Sequence, residues 1–65
     1  MATKMKWKLL KTVSEEIRIC GIYRITFNPA ILDKRKHVIS INTLIIGKVK
    51  SLDTAKRICK LLRDG

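Results

Sequence analysis

Ile17-Arg-Ile-Cys-Gly-Ile-Tyr-Arg-Ile-Thr-Phe27 is the stretch on which the fold turns. Ile17, Ile19, Tyr23, Ile25 and Phe27 occupy odd positions, while Arg18 and Arg24 occupy even ones. Side chains of a strand alternate between faces, so the stretch predicts a strand over about residues 17–27 with one apolar and one cationic face. Its β-branched and aromatic content favours the same reading. Gly21 interrupts it with no side chain to pack, which marks a bulge or a close approach by another backbone. A bulge there would shift the face assignments on one side of it by one position.

The alternation continues outward. Met5, Trp7 and Leu9 interleave with Lys6 and Lys8 and predict a first strand over about residues 5–13, with Lys11 breaking the pattern. Ser14-Glu15-Glu16 links it to the second strand as a short hairpin loop. Asn28-Pro29 ends the second strand, because proline cannot donate to a strand ladder and asparagine favours turns. A long hairpin connection follows, tipped by Asp33, Lys34, Arg35 and Lys36. A third strand is expected over about residues 37–42, beginning near His37. Residues 44–49 either form a fourth strand or continue the third as one bent strand, since Ile45 and Ile46 are adjacent and Gly47 permits a bend.

Ser51 is placed to cap a helix over about residues 52–63, with Asp53 in the first turn and Leu52, Ala55, Ile58, Cys59 and Leu62 as an apolar stripe. The expected fold class is α+β: an antiparallel meander of three or four strands packed on one C-terminal amphipathic helix, forming a single small domain over residues 1–65. Trp7, Tyr23 and Phe27 then belong to the core. Gly47-Lys-Val-Lys-Ser-Leu-Asp-Thr-Ala-Lys56 resembles the strand-to-helix junction of short, mostly uncharacterised phage and prophage proteins with a strand meander and a closing helix. That resemblance covers about ten residues; it implies the same architecture and brings no assigned activity.

Sixty-five residues bound the chain to a thin core, and its 46% hydrophobic content argues against intrinsic disorder. Fifteen Lys and Arg against five Asp and Glu give a net charge of +10. Such a charge favours phosphate backbones or an acidic protein partner. The longest aliphatic run, Leu44-Ile45-Ile46, is far too short to span a bilayer. Met1 to Lys11 alternates instead of forming the apolar block of a signal peptide, so no membrane association and a cytoplasmic location are expected.

Little here points to catalysis. Cys20, His37 and Cys59 stand singly, without the paired spacing of a zinc site, so no metal and no cofactor is expected. Cys59 on the helix stripe and Cys20 on an even position of the second strand are expected on different sides of the sheet, which opposes a disulfide. Glu15 and Glu16 are adjacent acids on a turn, and no phosphate-binding glycine loop or nucleophile set accompanies them, so an enzyme is not expected.

The candidate site is the cationic sheet face: Lys6, Lys8, Arg18, Arg24, Lys48 and Lys50, joined at one edge by Lys34, Arg35 and Lys36. Counterion release makes such a face a nucleic-acid binder. With all three aromatics assigned to the opposite face, duplex is favoured over single strand. Leu10, Cys20 and Ile22 give the same face an apolar centre, the composition of a protein interface, so a homodimer contact or the modulation of an acidic host protein is the alternative.

Overall fold

The computed structural model describes residues 5–65. Five strands and one helix follow in order: β1 (Lys8–Lys11), β2 (Glu16–Cys20), β3 (Tyr23–Phe27), β4 (His37–Ile41), β5 (Leu44–Val49) and α1 (Leu52–Asp64). The strands form one antiparallel sheet in the order β1-β2-β3-β4-β5. The α+β class and the closing helix match the expectation. The strand count is five, because residues 17–27 are two strands and not one.

Gly21 explains the difference. Cys20 pairs with Tyr23, leaving Gly21 and Ile22 as a two-residue turn, and Gly21 has φ +62°. Tight hairpins with a left-handed first central residue favour glycine there, since any side chain would be strained. Residue 21 therefore reverses the chain and is not a bulge. Asn42 repeats the device with φ 57° between Ile41 and Leu44, using the one side-chain class that tolerates this region with little strain. The Asn42 N–H donates to the Ile22 carbonyl at 2.7 Å and ties the two turns together. Residues 37–49 are accordingly two strands.

The single register break lies in β5. Ile39 pairs with Gly47 and Ser40 with Ile45, so Ile46 is the extra residue of a bulge. Leu44, Gly47 and Val49 thus share one side of the sheet despite their mixed parity.

That side carries the core. Ile25 and Ile39, register partners each 1% exposed, meet fully buried Ala55 and Cys59 of α1. Met5, Trp7, Tyr23, Val49, Leu52 and Ile58 pack around them. Phe27 lies further along the same side, its ring tilted on His37 with centroids 4.8 Å apart. The helix packs over β3, β4 and β5. Its N-terminus is capped by Ser51, whose Oγ accepts from the Thr54 N–H at 3.2 Å, and the Gly65 N–H donates to the Leu61 carbonyl at 2.8 Å to close the other end. Leu62, at the end of the apolar stripe, stays exposed.

Candidate nucleic-acid interface

The two-residue turn inverts parity between β2 and β3, and this redraws the cationic face. Arg18 pairs with Ile25 and Cys20 with Tyr23, so Arg18 and Cys20 lie on the helix side of the sheet. Ile17 and Ile19 lie on the open side. The open face consists of two cross-strand rows: Lys8, Ile19, Arg24, Ser40 and Ile45 form one, and Leu10, Ile17, Thr26, Val38 and Lys48 the other.

The expected cationic set divides accordingly. Lys8, Arg24 and Lys48 share the open face and are exposed. Lys6 is exposed just before β1, and Lys50 is exposed just after β5. Arg18 is excluded by its position, and its guanidinium pairs with Glu16 at 3.7 Å. In the β3–β4 connection Arg35 pairs with Asp33 at 3.3 Å, and the half-buried Lys36 donates its Nζ to the carbonyls of Pro29 and Ile31. Lys36 thereby closes the loop from within, and Lys34 is left as the exposed cation of that tip with no carboxylate within 4 Å among the described residues. The Arg35 N–H, then its side chain, holds the Asp33 carboxyl below the usual carboxylate range, and Lys48 contributes at longer range.

The apolar set also divides. Leu10 is on the open face, Cys20 on the helix side, and Ile22 in the β2–β3 turn, so these three do not form one centre. The apolar part of the open face is instead Leu10, Ile17 and Ile19 over β1 and β2, with Val38 and Ile45 further across.

Over β3–β5 the open face is a shallow groove of about 410 Å³ whose lining includes Arg24, Thr26, Ser40, Asn42, Thr43 and Val38. Thr26 and Ser40 are the even-numbered neighbours of the core residues Ile25 and Ile39, which their alternation signals, whereas Asn42 and Thr43 come from the β4–β5 turn and carry no charge to mark them. Glu15, a carboxylate without a cation within 4 Å among the described residues, also lines the groove.

Both cysteines are free thiols. Cys20 pairs with Tyr23 on the side of the sheet that α1 covers with Cys59, which corrects the expectation that the two lie on opposite sides; burial pushes the Cys59 thiol above its ordinary value and Cys20 adds to the effect. Among the described residues, no group of three His, Cys, Asp or Glu side chains converges as metal ligands would, and no helix is long and apolar enough to cross a membrane. Comparison of the chain with protein-family models, with curated proteins and with solved structures finds no match.

Proposed function

We propose that the protein is a non-catalytic binder of duplex DNA that lays the β3–β5 part of its open sheet face in the major groove. One observation carries this reading: Arg24, Thr26, Ser40, Asn42 and Thr43 line one shallow groove, with Lys8 and Lys48 on the same open face toward its two edges. Arginine, asparagine and small hydroxyls are the side chains that read base edges, and lysines around them suit phosphates. Strands enter the wide major groove of B-form DNA, whereas the major groove of A-form RNA is too narrow and deep to admit them.

A second reading is supported by Leu10, Ile17 and Ile19, which give the β1–β2 part of the same face the apolar character of a protein contact. Fluorescence anisotropy of a labelled 20-base-pair duplex of random sequence tests the first reading. Binding at roughly 50 mM salt that weakens steeply as salt rises is the expected result. No binding at that salt overturns it and leaves the protein contact.

A further inference from the structure

A second cationic surface lies on the opposite side of the sheet and is independent of the open face. Met5 and Trp7, leading into β1, pack against the core beside α1 and form a groove with Lys56, Arg57 and Lys60 of about 270 Å³. We propose that this groove holds a single unpaired nucleotide, its base against Trp7 and its phosphate among Lys56, Arg57 and Lys60.

Two features of the groove lead to this ligand class. The cations occur within five consecutive helix positions, and none has a carboxylate within 4 Å among the described residues. Lys56 and Lys60, one helical turn apart, repel each other, so an anion between them is favoured. Asp64, the acid near that end of the helix, is held by Arg63 at 2.8 Å, and Lys60 acts on it only at longer range. Trp7 and Met5 line the same groove as the cations, and an aromatic ring accepts any base by stacking. An acidic peptide would use the cations but would leave the indole without a planar partner.

This placement adds a single-strand site to a chain whose aromatics all fall, by sequence alternation, on the core side. Trp7 does contribute to the core, but it is only half-buried and borders the groove with its remaining surface.

Trp7 is the only tryptophan in the chain, so its emission reports on this groove alone. The experiment titrates the full-length protein with a short thymidine oligonucleotide, with thymidine monophosphate, with a blunt duplex and with oligoglutamate, following indole emission. Stacking quenches the indole, so the oligonucleotide is expected to quench at micromolar concentration, with log affinity falling against log salt at a slope of about −2 for three cations on a single strand. Quenching by the monophosphate at similar concentration identifies a free nucleotide as the source; quenching by the oligonucleotide alone identifies a strand. Arg57 and Lys60 are exposed, so R57A/K60A is expected to keep its circular dichroism and melting temperature while losing at least tenfold in affinity for the oligonucleotide.

The same double variant should retain duplex binding, and R24A should retain the quench, so failure of one site is separable from failure of the other. The proposal is overturned by absence of quenching with oligonucleotide and monophosphate up to millimolar concentration. It is equally overturned by oligoglutamate quenching as strongly as the oligonucleotide, or by unchanged affinity in a folded R57A/K60A protein.

Discussion

Cys20 and Tyr23 are register partners across the Gly21–Ile22 turn, and that pairing assigns a face to every residue of β2. With two residues in the turn, even positions of β2 share a side with odd positions of β3. Arg18 therefore lies beside Ile25 on the helix side, and Ile17 and Ile19 come to the open face. A single strand through Gly21 would have put Arg18 on the same face as Arg24.

The turn depends on the left-handed conformation of Gly21. Nothing lies within 4 Å of a Cβ added there, so a substitution costs backbone strain and not a clash. Gly21→Ala is expected to destabilise by about 1–2 kcal/mol, and Gly21→Asn by less, since asparagine tolerates this region. Urea denaturation midpoints check the order. Equal midpoints for glycine and alanine would contradict the turn geometry.

Ile25 and Ile39 form the centre of a thin core. Ile25→Ala and Ile39→Ala are each expected to cost about 2–5 kcal/mol, a large share of the stability of so small a domain. Leu61→Ala, at a position 71% exposed, should stay within about 0.5 kcal/mol of wild type. Chemical denaturation of the three variants checks this; comparable losses at Leu61 and Ile25 would show that the outer helix surface is covered by something else.

At the helix N-terminus the Ser51 hydroxyl accepts from the Thr54 N–H and also donates to the Thr54 Oγ1 at 2.9 Å. Ser51→Ala leaves that N–H without its partner and should cost about 1 kcal/mol. Ser51→Asp should retain the cap. A thermal melt of each variant separates them, and equal melting temperatures for alanine and aspartate would remove the cap from the account.

What the sequence reveals and conceals has a physical pattern. Helix α1 was legible almost to the residue, because a capping serine, an acid in the first turn and a period of three to four all agree. β4 was legible from its β-branched run Val38, Ile39 and Ile41, and β3 only as the later part of one strand over 17–27 in which Ile25 lies between Arg24 and Thr26. The β2–β3 turn was not, because Cys20 and Ile22 look like strand residues and only the backbone angle of Gly21 separates a turn from a bulge. The site inherits that ambiguity: Lys8, Arg24 and Lys48 keep their places, while Arg18 and Cys20 change sides. The loss of Lys36 to loop closure, with its ammonium on the carbonyls of Pro29 and Ile31, depends on loop geometry that no periodicity encodes.

Cys59 sets a pH dependence at the alkaline end. Its thiol is raised from the ordinary 9.0 by burial first and by Cys20 second, so the folded chain holds this proton more tightly than the unfolded chain. The associated stability is fully present below the unfolded value and is lost as pH rises through the folded value. The stability difference between wild type and Cys59→Ala is therefore expected to be constant up to about pH 8 and to shrink toward about pH 10, since other groups titrate in both proteins. Paired urea titrations measure it; a gap that stays constant would show that the thiol ionises alike in both states.

Arg24 and Arg18 give the sharpest test of the duplex reading, because they belong to adjacent strands and differ mainly in the face they occupy. With Lys6, Lys8, Arg24, Lys34, Lys48 and Lys50 as the cations of the open side and its margins, four to six phosphate contacts predict a slope of log affinity against log salt of about −4 to −5. Lys8→Ala and Lys48→Ala should each reduce that slope by about one and leave sequence preference unchanged. Arg24→Ala should cost about 1–3 kcal/mol and relax preference at one base position, as expected of an edge-reading arginine. Arg18→Ala removes a side chain on the helix side that is paired with Glu16, and should leave duplex affinity within about twofold. Anisotropy titrations across salt, with a selected and a scrambled duplex, read all four variants. Equal losses at Arg18 and Arg24 would mean that affinity follows net charge alone and that the open face has no special part in it. If Leu10→Ala or Ile17→Ala instead abolishes a function that the lysine variants retain, the β1–β2 half of the face is the working surface and its partner is a protein.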